Sequence, residues 1–325
     1  MKSHRLVTGL FITLGLLVLP FLGGGYFRSI LNLAAIYLVV VMGLNIILGF
    51  VGELPFGYTA FFGLGAYASG IVTTLYGCSF WTGLAASVIV TAVFGVAIGY
   101  PSLYLRGPYF ALVTWAFQDI VHLVIRNWVE FTRGPLGIPG VPSPRLVLPW
   151  VGSLELRSDT AFYYLAVTGA ALATLAVALL RNSRVGRAFV AIRENEVLAE
   201  ALGVDAFRFK LLAFLLSAVL GGVGGTLFAH YVGIVSPDIF SFYYITLIFS
   251  MAIIGGAGYI LGPILGVLFF TAVPEYLRAA QSLRMVLLGV IMVAGIVFMP
   301  RGFGGLLEDL RDRWRVRRAA WHSSR

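Results

Sequence analysis

Three ionisable residues in the apolar part of this 325-residue sequence have the type and placement to do chemistry: Glu53, Asp119 and His122. Gln118, Asp119 and His122 fall at i, i+1 and i+4 of an apolar segment over 109–125, so Asp119 and His122 share one helix face. A carboxylate and an imidazole so placed begin a proton relay or a metal pair, but a metal site needs more than two ligands. The simpler reading is a local Asp–His interaction where a helix enters a polar loop. Glu53 lies in GFVGELPFGYTAFFGLGAYASG, 49–70, where Gly49, Gly52, Pro55, Gly57, Gly63 and Gly65 interrupt the helical pattern. An ionisable group near membrane depth is a functional-site candidate by default; the competing reading puts Glu53 in an interfacial loop.

Other chemistries lack their residues. The single cysteine, Cys78, excludes an internal disulfide framework and a cysteine-based zinc site. There is no HExxH, no GxSxG and no GxxxxGKS or GxxxxGKT, which removes zinc proteolysis, a nucleophile elbow and a built-in ATPase. GGVGG at 221–225 sits in an apolar helical context rather than after a strand, so it reads as a packing face and not as a dinucleotide loop. No enzyme activity, metal or cofactor is expected in this chain.

The elements that position these residues are membrane segments. Hydrophobic residues make up 59% of the chain and charged residues 11%, against about 25% charged in soluble domains; mean hydropathy is +0.93. The net charge of +9 is clustered: 1–5, 181–210 and 301–325 hold 15 of the 23 Lys and Arg, the pattern of cytoplasmic loops rather than of a nucleic-acid-binding stripe.

Apolar segments are expected over 6–24, 30–48, a broken 49–70, 81–100, 109–125, 161–180, 211–230, 243–259, a short ninth to about 273, and 285–299. The first is too long for a signal-peptide core and reads as an uncleaved span. Gly95 and Gly99 form a GxxxG pair, and Pro101 is expected to end its helix. The proline-rich stretch 126–160 reads as an ordered surface loop on the outside, and His230 and Asp238 as interfacial residues flanking a turn. Ten spans put all three basic segments, and both termini, on the cytoplasmic side. Ten also divides into two five-helix halves, inverted relative to one another, in which the broken third segment matches the glycine-rich eighth, with GGAGYILGPILG at 255–266. Interrupted segments in matching positions point to a transport pathway near the midplane. The whole chain, 1–325, reads as one all-α polytopic domain; in its tail, Leu306, Leu310 and Trp314 fall on one helical face among arginines, an interfacial or a solvated helix.

The stretch 181–210 carries six basic and four acidic residues between two membrane-length segments. Within it, 194–202 places Val197, Leu198, Ala201 and Leu202 on one side and leaves Glu194, Glu196 and Glu200 exposed, with Gly203 as the stop. So short an amphipathic helix must pack on something, either this chain's own ends or a separate ATPase. An ion-coupled secondary transporter would draw instead on membrane carboxylates, of which few are present.

Five collinear stretches carry a resemblance. LNIILGFVGELPFGYTAFFGLGAY, LRGPYFALVTWAF at 105–117, SRVGRAFVAIRENEVLAEALGV, AHYVGIVSPDIFSF and IIGGAGYILGPILG resemble the motifs of permease subunits of high-affinity branched-chain amino acid ABC importers. That bacterial inner-membrane permease family is shared with urea, short-chain amide and sugar permeases. The resemblance implies import driven by two separate ABC ATPase subunits that use ATP and Mg, with a second, homologous permease subunit and a periplasmic or surface solute-binding protein. It implies an ATPase-coupling role for Arg187, Glu194, Asn195, Glu196, Glu200, Ala201 and Gly203. The candidate pathway residues are Asn45, Glu53, Tyr58, Phe61, Gly255, Gly256 and Gly258. Where many relatives have Gln, Ser and His in the early motif, this chain has Glu53, Pro55 and Tyr58, which leaves urea or an amide as an alternative solute; a carboxylate near the pathway would disfavour an anion.

Overall fold

The computed structural model describes residues 19–21, 23–105, 107–148, 152–155, 158–276 and 301–309, with isolated positions between 286 and 299. The expected first span lies almost wholly outside the described residues, as do most of the tenth and the tail beyond 309. Among the described residues, five helices are long and apolar enough to cross a membrane. The first, α1 (Gly25–Leu44), runs on into a wider π-helical stretch over Asn45–Val51. The others are α3 (Phe80–Ser102), α4 (Pro108–Asn127), α5 (Asp159–Asn182) and α8 (Ala206–Val232). Between them lie α2 (Thr59–Thr74), α6 (Arg184–Glu194) and α7 (Glu196–Ala201), and after them α9 (Phe242–Gly255) and α10 (Leu261–Tyr276).

The distribution of small and large residues on α3 shows what surrounds it. Gly83, Ser87, Thr91, Gly95 and Gly99, each four residues from the last, are turned inward, whereas Ile89, Val93 and Val96 are exposed. In water that pattern would be inside out; against lipid tails it is favourable, because small residues let helix backbones approach and bulky apolar ones face the hydrocarbon. The chain is a polytopic helical membrane protein. The most apolar window of α1 is 89% buried and that of α8 61%, against 33%, 33% and 28% for α3, α4 and α5. The centre is therefore α1, α2 and α8, with the other three around it.

Glycine decides how closely α8 meets its neighbours. Gly222 lies backbone to backbone on Gly65 of α2, and Ser87 of α3 donates to the Gly222 carbonyl at 3.0 Å. Gly225 sits on the Phe62 carbonyl, and a Cβ added there would also come within 2.9 Å of the Ala66 nitrogen. Gly225→Leu is thus expected to force the backbones of α2 and α8 apart and to cost about 1–3 kcal/mol, as overpacked cores do. Gly169→Ala, whose added carbon meets only a Leu227 methyl at 3.4 Å, should be nearly silent. Thermal unfolding of the purified protein in detergent separates the two.

Several boundaries differ from the sequence reading. Pro101 does not end α3 at Tyr100; the helix continues through Ser102, since a proline in the last turn removes a single backbone bond. The break expected inside 49–70 falls between α1 and α2, at Gly52 to Pro55 with a 3-10 turn over Phe56–Tyr58; Gly63 and Gly65 lie within regular helix, where they serve packing. The eighth segment is likewise a regular helix to Gly255, with its irregular turn beyond it at 256–260.

The two ends of the bundle differ. At one, β1 (Ile138–Pro139) pairs antiparallel with β4 (Ile234–Val235), and β2 (Arg145–Leu148) forms a hairpin with β3 (Gly152–Glu155). His230, expected at the interface, is buried there and pins the loop: its Nδ1 lies 2.7 Å from the Pro142 carbonyl and its Nε2 2.9 Å from Ser69 Oγ. At the other end lie α6 and α7.

Candidate coupling segment and the broken helices

Side-chain caps hold α6 and α7 in place. Ser183 Oγ accepts from the Gly186 backbone at 3.1 Å and opens α6, while Gly186 lies against the Leu180 and Arg181 carbonyls that end α5. Asn195 Oδ1 accepts from the Leu198 backbone at 3.0 Å and opens α7. Gly203, at φ +86°, closes it, donating to the Glu200 carbonyl at 2.9 Å, a conformation that favours glycine. Asp205 then caps α8 and pairs with Arg208 at 2.9 Å. A local side-chain hydrogen bond thus opens each of α6, α7 and α8.

Of the two packing alternatives that the sequence leaves for Val197, Leu198, Ala201 and Leu202, the structure does not use this chain's own surface. α7 turns Ala199 inward, and Val197, Leu198 and Leu202 are 68%, 58% and 78% exposed. Glu194 and Glu200 are exposed as expected, but Glu196 turns back into the protein. Its Oε2 meets the Lys210 ammonium at 2.9 Å, and the same nitrogen meets Glu53 Oε1 at 2.8 Å. Lys210 is only 5% exposed. One cation thus joins a carboxylate of α7 to a carboxylate of the turn between α1 and α2.

A second tie runs parallel to the first. Arg193, at the end of α6, donates through Nη1 to the Gly49 carbonyl and lies over Gly52 and Gly258. Gly49 stands near the C-terminal end of the α1 π-turn, where outward carbonyls attract a cation. One turn earlier, Asn45 reaches across to the irregular turn after α9: its Nδ2 donates to the Tyr259 carbonyl at 2.8 Å and its Oδ1 accepts from the Gly258 backbone at 2.8 Å. Gly256 and Gly258 have φ of +106° and +93°. Asn45 is fully buried and clips the two glycine-rich turns together.

The remaining pathway candidates fall into two groups. Tyr58 and Phe61 are packed in the interior, with the Tyr58 hydroxyl 2.8 Å from the Val40 carbonyl it donates to and Phe61 edge-on to Phe214 at 5.4 Å. Gly255 lies against Gly262 of α10, and Gly256 against the backbone of 301–304. The Gln118, Asp119 and His122 set separates: Gln118 is buried, bonded to Thr59 and to the Phe240 carbonyl, and His122 stacks on Phe240 at 5.8 Å. Among the described residues no group of three His, Cys, Asp or Glu is placed to hold a metal.

Lys210 and Arg193 were not singled out from sequence. A signal for Lys210 exists: Ala206, Lys210, Ala213, Ser217 and Gly221 form one helical stripe of α8, and all five are buried. A lysine on a stripe of small residues calls for a buried partner.

Residues 26–296 match the family model described as the permease component of branched-chain amino acid transport systems. The chain is 32% identical over 306 residues to the high-affinity branched-chain amino acid transport system permease protein LivM of Salmonella typhimurium, covering 87% of this chain and 71% of that one. Against LivM of Escherichia coli it is 32% identical over 319 residues, 93% of this chain and 74% of the relative. The permease protein LivH of Salmonella typhimurium is 26% identical over 296 residues, 85% of this chain and 94% of the relative. No solved structure matches. The chain belongs to the family of permease components of branched-chain amino acid transport systems.

Proposed function

We propose that this chain is the membrane-spanning permease subunit of an ATP-driven, binding-protein-dependent importer of branched-chain amino acids, working by alternating access. The observation that carries the reading is α7: an ordered, doubly capped helix whose Val197, Leu198 and Leu202 face away from the protein, beside Glu200. Apolar side chains on so rigid a projection are fitted to enter a groove of a soluble partner. In the reading proposed, that partner is one of two ATPase subunits that bind ATP and Mg, and α6–α7, with Arg187, Glu194, Asn195, Glu200, Ala201 and Gly203, is the docking segment.

The similarity to both LivM and LivH supports a second, homologous permease subunit beside this one. A solute-binding protein delivers the amino acid at the opposite end, where the loop fastened by His230 lies. In this reading α1 is the second of ten spans, both termini are cytoplasmic, and α6–α7 lies on the cytoplasmic side. The glycine-rich turns joined by Asn45 form the inner gate, with Tyr58 and Phe61 packed behind it.

Leucine uptake into proteoliposomes holding the permease pair and binding protein, with and without the ATPase subunits, tests this. Accumulation is expected only with the ATPases and ATP. Accumulation driven by an ion gradient alone would overturn the reading.

A further inference from the structure

We infer that Lys210 is a positioning residue of the transport cycle: by holding Glu196 of α7 and Glu53 of the α1–α2 turn on one buried ammonium, it carries movement of the docking segment into the inner gate. This rests on the function proposed above and goes beyond it, since it names the contact inside the permease through which force leaves the docking segment.

Stability alone does not account for the cluster. Taking an ammonium out of water is costly, its carboxylates return that cost only with good geometry, and apolar replacements of buried ion pairs are often neutral or stabilising. Leucine or methionine would suit the same stripe of α8. What a buried ion cluster supplies is register between elements, and here the elements are far apart in sequence: Lys210 and Glu53 are separated by 157 positions and meet at 2.8 Å. The two carboxylates are not equivalent. Glu196 is 27% exposed and Glu53 14%. A shift of α7 would therefore strain the outer contact first and leave the ammonium to Glu53 alone, a second arrangement beside the shared one seen here. A two-arrangement element biased from one side is what coupling between distant sites requires.

The route continues on both sides of Lys210. Arg193, two residues before the α7 cap, holds the Gly49 carbonyl, so α6 and α8 grip the same turn four residues apart. Asn45 then fixes that turn to Gly258 and Tyr259. Motion at the tip of α7 reaches both glycine-rich turns without crossing a flexible link.

The test uses the full complex in proteoliposomes and reads leucine imported per ATP hydrolysed, with thermal denaturation of each variant. Lys210→Glu and Glu53→Lys each destroy the charge balance; the exchange variant carrying both restores one cation between two carboxylates. Each single change is expected to lower the import-to-hydrolysis ratio by about tenfold, within the range of coupling between two sites, and the exchange to recover most of it. Should the single variants fail to assemble, Glu53→Gln keeps the Lys210–Glu196 pair and is expected to lower the ratio by about fivefold. A wild-type ratio in Lys210→Glu or Glu53→Gln, or an assembled exchange variant that couples no better than the single ones, overturns the inference. A fall in melting temperature with an unchanged ratio also overturns it, since that marks a merely structural residue. Failure of the importer reading shows separately, as leucine accumulation by the wild type without its ATPases.

Discussion

A variant with Leu198→Asp and Leu202→Asp should fold as the wild type does and lose ATP-driven uptake. The two side chains are 58% and 78% exposed and touch little of their own protein, so the cost to the isolated permease should stay within the roughly ±0.5 kcal/mol usual for surface substitutions. At an interface core the balance reverses. Apolar anchors that fill a partner's pocket contribute about 2 kcal/mol or more each, about thirtyfold in affinity, and a carboxylate in their place adds an unpaired buried charge. Glu200→Arg, on the same exposed helix, should act through charge and respond to salt, which the aspartate pair should not. Co-purification of the ATPase subunits and their stimulation by loaded binding protein measure both. Wild-type stimulation in the aspartate variant would mean that α7 does not dock.

The membrane architecture was legible in part because one force wrote it: apolar runs closed by glycine, proline and clustered arginine mark the helices found among the described residues, the expected first and tenth spans lying almost wholly outside them. The glycines were legible in part. GGVGG was read as a packing face, and Gly222 and Gly225 are where α8 meets α2, but Gly63 and Gly65 were read as breaks because an isolated glycine looks the same whether it bends a helix or lets another approach. The inward turn of Glu196 was not legible. Six residues make too short a period to tell an inward face from an outward one, and the normal rule of carboxylates outward fails when a buried lysine waits on the next helix. Lys210 escaped notice for a related reason. It stands beside Arg208, in a basic stretch whose charge was explained by the membrane's positive-inside rule, and only three-dimensional packing shows that one of the two points outward and the other inward. The pairing of Asn45 with Gly258 joins residues 213 positions apart, and nothing local to either announces it.

Asn45→Leu, nearly the same size, should be the most damaging single change in the glycine-rich turns. The amide there uses both ends, and its loss leaves the Gly258 N–H and the Tyr259 carbonyl without the partner that each has now. An orphaned buried backbone group costs about 1–3 kcal/mol, so the pair is worth about 2–6 kcal/mol. A side-chain hydrogen bond between membrane helices averages only about 0.6 kcal/mol, because the separated helices find other partners. The turn at 256–260 is half-buried at the α6–α7 end and makes no regular helical ladder, and Gly256 and Gly258 both hold positive φ, so the cost of Asn45→Leu is expected between these two figures. Asn45→Asp separates the two bonds: a carboxylate still accepts from Gly258 but faces the Tyr259 carbonyl with no proton to give. Both variants are therefore expected to be less stable than the wild type, with amide hydrogen exchange at Gly258 fast only in Asn45→Leu. If Gly258 remained protected in Asn45→Leu, the turn would be held by its own backbone, and the inner gate would have to be sought away from Asn45.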